Sequence, residues 1–271
     1  SNNEITELSI EDDGNGYPKD ILSKIGEPYI KSSSDKENKK GAAADTSPMA
    51  SFRRGRTQVL SPNGKLAAFI RDHNLWVRNV ETKKERQLTF DGIEDYGYAT
   101  NNAGWTKGPG PVVLWSPDSK KIATFQHDSR GTGEMYMVST KSGHPELSQW
   151  KYPLPGDSLI FRISRVVINV KDASMVRLNM PPDQHRSTSD DHIAGRGGTF
   201  LDVRWSKDAK HLAFVSSSRD HKEAQLRVAD TKTGKVRDVM KEVQETYFES
   251  GDGFSNWHYL SKTNEVIWFS E

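Results

Sequence analysis

The sequence predicts an all-β chain of repeated sheets, preceded by a mostly irregular N-terminal arm. Segments such as Asn74–Val80 and Arg165–Val170 alternate apolar and polar residues, are rich in β-branched and aromatic side chains, and lie between turn-forming residues. No long helical period follows Thr57. One pattern of a turn followed by a strand recurs along the chain, which indicates that the sheets are copies of one unit.

The composition excludes several classes of function. Of 271 residues, 38 are Lys or Arg and 37 are Asp or Glu, so the formal net charge of +1 gives no overall attraction to nucleic acid or to an acidic membrane surface. The absence of cysteine excludes disulfides, thiolate zinc sites and a cysteine nucleophile. No apolar run approaches the ~18 residues that a membrane-spanning helix needs. We therefore expect no nucleic-acid partner and no membrane span in this chain.

Residues 1–56 differ in character from the rest of the chain. Lys31–Ala44 is polar and low in complexity, and such a stretch buries too little apolar surface to offset the entropy of ordering it. A short helix is predicted at Pro18–Gly26, where a proline lies early and a glycine lies at the end. The sequence thus predicts an arm or linker over residues 1–56 and a folded β region over residues 57–271.

Four windows of the β region share one pattern in register. In each, a large apolar residue is followed by Ser, a tight turn, a Lys (Glu265 in the last copy) and an apolar strand. Pro fixes φ for the turn in the first two copies, and Asn or Asp followed by a small residue closes it in the first three. The four windows are Leu60–Ile70, Trp115–Phe125, Trp205–Val215 and Leu260–Ser270.

A second half of the repeat follows the first and third windows, at Asn74–Lys84 and Gln225–Lys235, and Glu134–Gly143 offers the same pattern after the second. Two hairpins complete a four-stranded sheet, which is the blade of a β-propeller. The windows start at residues 60, 115, 205 and 260, so the middle unit carries either an insertion or a degenerate extra blade. A β-sandwich with coincidentally similar turns is the alternative, and the shared register of four windows argues against it.

Three segments resemble the N-terminal propeller of the dipeptidyl peptidase IV group, in the prolyl oligopeptidase clan of serine peptidases. They are the Trp-Ser-Pro strand entry at Trp115–Asp128, the Tyr-Pro segment at Trp150–Gly156, and the blade end within Asn74–Gly92. The resemblance covers about Thr57–Glu271 and implies a ring of about eight blades, of which this chain supplies about four. It also implies a C-terminal α/β-hydrolase domain in the same parent chain, peptide substrates, a homodimer, and a periplasmic or secreted location.

Catalysis in that family depends on a Ser in Gly-x-Ser-x-Gly, and the motif does not occur in this sequence. We therefore expect no catalytic residue and no peptidase activity in this chain alone. Family members that release dipeptides hold the substrate's amino group with a Glu pair just before the Trp-Ser-Pro entry. The corresponding stretch, Gly104–Trp115, contains no carboxylate. Either another acid anchors the amino group, with Glu245 and Glu249 as the candidates, or the enzyme has a different end-specificity.

Other polar clusters are weaker candidates for a site. His185 and His192 flank Asp190 and Asp191, but no third fixed ligand is apparent, so we expect no metal and no cofactor. The run Phe52–Arg56 lacks the context of a nucleic-acid-binding fold. Two further residues, Arg130 and Arg219, follow predicted strands and either point into a substrate tunnel or are solvated surface residues.

These observations predict the non-catalytic propeller portion of an extracytoplasmic serine exopeptidase, which admits and positions peptides for the hydrolase domain. The alternative is a free-standing propeller that acts as a binding or scaffold module without peptidase activity.

Overall fold

A computed structural model describes residues 57–103, 106–140, 143–184, 194–195, 199–200, 202–248, 257–260, 263 and 265–269. All of these residues except 140 and 143–145, near the tip of one hairpin, belong to one compact unit. The predicted arm at 1–56, including the helix at Pro18–Gly26, lies outside the described residues. No helix long and apolar enough to cross a membrane is found within the described ranges.

The described residues form antiparallel sheets, which confirms the all-β prediction. The first blade consists of β1 (Val59–Leu60), β2 (Leu66–Arg71), β3 (Asn74–Asn79) and β4 (Glu85–Gln87), paired in that order. The connection to the second blade contains β5 (Tyr96–Tyr98), β6 (Asn101–Ala103) and β7 (Thr106–Gly108). The second blade and its insertion contain β8 (Leu114–Trp115), β9 (Lys121–Asp128), β10 (Glu134–Ser139), β11 (Glu146–Lys151), β12 (Arg162–Asn169) and β13 (Met175–Arg177).

The remaining strands continue the same arrangement. The next connection contains β14 (Asp183–Gln184), β15 (Ala194–Gly195) and β16 (Thr199–Phe200). The third blade is β17 (Val203–Trp205), β18 (His211–Ser217), β19 (Glu223–Asp230) and β20 (Val236–Val243), again paired in chain order. A hairpin of β21 (Trp257–Leu260) and β22 (Glu265–Trp268) occupies the place of the first two strands of a fourth blade.

The second blade differs from the prediction for it. The predicted third strand at Glu134–Gly143 forms β10, which pairs only with β11 among the described strands. The third and fourth strands of this blade are instead β12 and β13, since β12 pairs with β9 along its whole length. The prediction was therefore wrong at this strand, and residues 129–161 are an insertion between the second and third strands of the blade. That insertion accounts for the long spacing between the second and third windows.

Alternate side chains of each central strand pack against different neighbours, as the period of a strand requires. Ile122 and Val166 lie in a cluster with first-blade residues, whereas Ala123 and Val167 lie in a cluster with third-blade residues. A third cluster joins the third blade to Trp257. The core is therefore a series of apolar layers between consecutive blades.

The two ends of the blades are built from different loops. The end that we call the turn end carries the turns between first and second strands and between third and fourth strands, such as Ser61–Leu66 and Asn79–Lys84. The end that we call the connection end carries the loops between second and third strands, including the insertion, and the connections between blades. All candidate site residues within the described part of the chain lie at the connection end.

Candidate functional site at the connection end

A large cavity opens at the connection end and has a volume of about 690 Å³. The insertion supplies Tyr152, Pro153 and Pro155, which give one wall rigid apolar surface. The β18–β19 turn supplies Arg219, and the segment after β20 supplies Gln244. Apolar walls with a few polar groups are typical of a ligand-recognition cavity.

The Tyr-Pro segment is held in place by a turn of its own. The Leu154 amide donates to Asp157 Oδ2 at 2.8 Å, and the Asp157 amide donates back to the Leu154 carbonyl at 3.1 Å. Gly156 has a φ of 90°, which glycine adopts without the strain that a Cβ brings. The segment therefore presents its prolines in a fixed conformation.

Arg219 joins the third blade to this segment. Its guanidinium donates to the Asp157 carbonyl at 3.0 Å and also to the Leu154 carbonyl. Surface solvation therefore does not describe Arg219, because both of these bonds cross from one blade to the insertion of another. A planar guanidinium that reaches two carbonyls at once fixes both distance and orientation.

The turn that carries Arg219 repeats the chemistry of the predicted blade turns. Ser218 Oγ donates to Asp220 Oδ1 at 2.6 Å, and the Glu223 amide donates to Ser218 Oγ at 3.0 Å. His221 takes a φ of 56°, the left-handed position of the turn. The hydrogen bond from Ser218 lowers the pKa of the Asp220 carboxyl, so this carboxylate stays charged at neutral pH beside the cavity.

The other arginine of interest, Arg130, lies at the base of the insertion. It forms a two-point ion pair with Asp128 at 2.9 and 2.7 Å, and its guanidinium lies 3.9 Å from the Tyr96 ring centre. The bond from Arg130 holds the pKa of the Asp128 carboxyl below its usual value. Arg130 therefore fixes the conformation of the chain where it leaves β9.

The amino-group candidates are placed only in part. Glu245 is exposed and directly follows Gln244, which lines the cavity. Glu249 lies outside the described residues, as do His185, His192 and the intervening aspartates. Within the described ranges, no group of three or more His, Asp or Glu residues could hold a metal ion.

Sequence reasoning missed two features of the site. The Ser-x-Asp pattern at Ser218–Asp220 is a visible signal, because it repeats the turns of the blades. The buried ion pair of Arg165 with Asp183, at 2.7 Å, fixes the connection after β13 against β12. The sequence offers no signal for this pair, since the two residues lie 18 positions apart on different elements.

Comparison with known proteins identifies relatives of the chain. A family model described as dipeptidyl peptidase IV (DPP IV) N-terminal region matches residues 37–271. "Probable dipeptidyl-aminopeptidase B" of Aspergillus oryzae is 25% identical over 201 residues, which cover 67% of this chain and 21% of that protein. The protein of the same name from Penicillium rubens is 26% identical over 201 residues, with the same coverage.

The fold also has solved relatives. The crystal structure of Porphyromonas gingivalis dipeptidyl peptidase 4 matches with a TM-score of 0.54 and 20% identity, over 70% of this chain and 26% of that chain. The predicted family resemblance and the propeller fold are thereby confirmed. The chain spans about a fifth of the length of the curated relatives it matches.

Proposed function

The chain belongs to the dipeptidyl peptidase IV N-terminal region family, and on that premise we propose that it is the non-catalytic propeller portion of an extracytoplasmic serine exopeptidase. In this role it admits peptides, positions their amino-terminal end, and delivers them to an α/β-hydrolase domain of the same parent protein. The sequence of this chain contains no Gly-x-Ser-x-Gly, so the nucleophile belongs to that other domain.

The observation that carries the proposal is the apolar character of the connection end. Phe90 and Ile93 are 71% and 55% exposed there, and Leu159, in the insertion at the same end, is 58% exposed. Large apolar side chains grouped on one end of a domain indicate a surface that another domain or a ligand covers. We propose that the hydrolase domain packs on this end and that the cavity opens toward the substrate.

We propose that Glu245 and Glu249 position the substrate. The exposed carboxylate of Glu245 lies next to the cavity wall in the chain, and a carboxylate that accepts hydrogen bonds from an ammonium group makes a strong, charge-assisted contact. Because a substrate with a blocked amino terminus lacks that charge, the two residues would select for a free amino terminus.

The test uses the full-length protein from its source cells. An immunoblot against this chain should show a band far heavier than 30.5 kDa, and a band at 30.5 kDa would favour a free-standing binding module. Xaa-Pro chromogenic substrates should be cleaved, and a variant of the serine nucleophile should be inactive. Equal turnover by the wild type and that variant would reject the peptidase assignment.

Amino-group anchoring has its own measurement. Glu245→Gln and Glu249→Gln should each lower kcat/KM for a free-amino substrate by about tenfold or more, the usual effect of losing one charged hydrogen bond. Glu81→Gln, an exposed substitution at the turn end, is the matched control and should leave kcat/KM unchanged. Losses no larger than in the control would reject both anchoring residues.

We extend the proposal to a homodimer formed through the insertion hairpin. On β10 and β11, Tyr136, Val138 and Leu147 are 58–62% exposed, and the two strands pair with no other described strand. An exposed apolar hairpin with unpaired edges is a template for a second identical hairpin related by a two-fold axis. Val138→Lys with Leu147→Lys should convert the full-length dimer to monomer in sedimentation, whereas Val80→Lys should not.

A further inference from the structure

Two cavities at the turn end occupy equivalent positions between consecutive blades. One lies between the first and second blades and has a volume of about 470 Å³. The other lies between the second and third blades and has a volume of about 390 Å³. Both are remote from the candidate site, because the turn end and the connection end are opposite ends of the same strands.

The first cavity is rich in cationic side chains. Lys84 and Arg86 reach it from the first blade, and Lys120 and Lys171 reach it from the second. Its carboxylate, Glu85, is already bonded to Arg71 and Arg78 at 2.8 and 2.7 Å.

Nearby aspartates leave most of this positive charge available. Asp118 lies 3.9 Å from Lys120, but it accepts hydrogen bonds within its own turn, and the Lys120 side chain remains 78% exposed. Asp172 likewise accepts two hydrogen bonds from Ser174. Among the described residues, no carboxylate lies within 4.0 Å of the Lys84 or Lys171 amine.

The second cavity contains a half-buried amine. Lys121 Nζ donates to the Ala209 carbonyl at 3.0 Å and to Thr231 Oγ1 at 2.9 Å, both uncharged acceptors, which leaves its third proton for another partner. The carboxylate of Asp230 accepts bonds from the amide and hydroxyl of Thr233 at 2.7 and 2.8 Å. Lys210, Lys232 and His211 complete the basic lining.

The lysines of the two cavities correspond by position in the repeat. Lys120 and Lys210 follow the left-handed residue of the turn between first and second strands, at Ser119 and Ala209. Lys171 and Lys232 occupy the same place in the turn between third and fourth strands, two residues after Asn169 and Asp230. The second and third blades therefore each present the same pair of amines to the groove before them, whereas the first blade has Glu81 at the position of Lys171 and Lys232.

We propose that the turn end binds a linear polymer with pendant sulfate or phosphate ester groups, and that these two cavities each accept one such group. Repetition of the same amine pair in successive grooves fits a ligand whose charged groups also repeat. Apolar side chains also line the two cavities, Leu66 and Val77 in one and Val167 and Val176 in the other. Exposed amines at the rim of two separate grooves suit pendant esters on a flexible chain, which can enter both grooves, better than a flat membrane surface.

The test measures binding of the full chain to immobilised dextran sulfate at about 0.15 M salt, with neutral dextran as the reference surface. Lys120→Gln with Lys171→Gln, and Lys210→Gln with Lys232→Gln, should each weaken binding by about tenfold or more, the scale of removing two amines from an anionic contact. Binding should also weaken steeply as salt rises. Arg162→Gln with Lys241→Gln removes the same charge from exposed positions outside both cavities and should change the affinity less than about twofold.

Specific outcomes would overturn the proposal. No binding of dextran sulfate at this salt concentration, or an equal loss in the control pair, would show that the cavities do not recognise the polymer. Saturation of the same sites by millimolar inorganic sulfate, with equal sensitivity to the variants, would assign them to a free anion. Binding to vesicles of anionic phospholipid but not to dextran sulfate would show that the turn end binds a membrane surface and not the polymer. Unchanged circular dichroism and melting temperature of the exposed-lysine variants would exclude misfolding as the cause of any loss.

Discussion

One turn position shows how a single side chain sets the blade hairpins. In the second blade, Ser116 Oγ donates to Asp118 Oδ1 at 2.6 Å, and the Lys121 amide donates to Ser116 Oγ at 2.9 Å. The third blade repeats this with Ser206 and Asp208. The first blade uses Asn63 instead, with the same bond from Ser61 at 2.8 Å. The geometry thus needs an acceptor oxygen at this position and does not need its charge.

Low pH should destabilise this turn in the second and third blades but not in the first blade. Burial alone would raise the pKa of the Asp118 carboxyl, but the bonds from Ser116 and from the Lys120 amide outweigh it and hold this pKa below its usual value. The bond from Ser206 lowers the pKa of Asp208 in the same way. Because the folded state prefers the carboxylate, its stabilisation is present above about pH 3.8 and is lost as the pH falls below that value.

We predict that Asp118→Asn with Asp208→Asn reduces acid sensitivity. The melting temperature of the variant should fall less than that of the wild type between about pH 5 and pH 3, because an asparagine oxygen accepts the same bonds at every pH. Thermal denaturation by circular dichroism across that range is the measurement. Parallel pH profiles for the two proteins would contradict the assignment.

Gly234 is required by its surroundings and not by its backbone angle. Its φ is 74°, and the equivalent turn residues of the other blades, Lys83 and Ala173, have φ values of 60° and 59° with side chains present. A Cβ on Gly234, however, would lie 2.6 Å from the Arg177 carbonyl oxygen of the second blade. The glycine therefore permits close approach of two blades.

We predict that Gly234→Ala costs about 2 kcal/mol or more in the free energy of unfolding, the scale of a steric clash that the backbone must relieve. Gly64→Ala is the matched control, since Gly64 has a φ of 70° and no atom within 4 Å of the added Cβ. It should cost only about 1 kcal/mol, the penalty of the left-handed conformation itself. Urea denaturation of both variants measures the difference, and equal losses would refute the argument.

At the scale of elements, a repeated indole bond joins the first strands of consecutive blades. Trp115 Nε1 on β8 donates to the Val59 carbonyl on β1 at 3.1 Å, and Trp205 Nε1 on β17 donates to the Leu114 carbonyl on β8 at 3.1 Å. The acceptors precede the first residue of each repeat window, so the bond is part of the repeat. The tryptophans thus set the spacing between blades as well as filling the core.

We predict that Trp115→Phe destabilises the chain by about 1–2 kcal/mol beyond its loss of packing, because it leaves a strand carbonyl without its donor. Trp76→Phe is the control, since the Trp76 indole donates no hydrogen bond within the described ranges. Chemical denaturation should give the larger loss for Trp115→Phe. A loss equal to that of the control would show that the indole bond contributes nothing to stability.

The sequence predicts local turns better than it predicts which strands pair. The blade turns could be read from the order of Ser, Asn or Asp and Lys because their bonds span only a few residues. The third strand of the second blade could not, since β10 and β12 both have strand-like patterns and only contacts with β9 distinguish them. The contacts that Arg219 makes at the candidate site could not be predicted from the sequence for the same reason. Arg219 acts through carbonyls more than 60 positions away in the chain.

At the scale of the whole molecule, the two ends of the blades carry different kinds of exposed side chain. The connection end exposes apolar side chains and the large cavity, whereas the turn end presents lysines between blades. The near-zero net charge of the chain does not reveal this difference between the two ends, because acidic residues elsewhere offset the charge of the lysines. One fold can therefore offer a domain-packing surface at one end and an anion-binding surface at the other without interference between them.

The exposed apolar side chains of the connection end predict that the chain self-associates in isolation. Phe90 and Ile93, 71% and 55% exposed at the connection end, should drive self-association when no hydrolase domain covers them. Phe90→Ser with Ile93→Ser should shift the mass from light scattering toward 30.5 kDa across protein concentrations. The free energy of unfolding should change by less than about 0.5 kcal/mol, because both side chains lie mainly in solvent. Val80→Ser, at a residue 37% exposed at the turn end, should leave the association unchanged. If the double variant associated as strongly as the wild type, the apolar connection end would not be the surface that an adjoining domain covers.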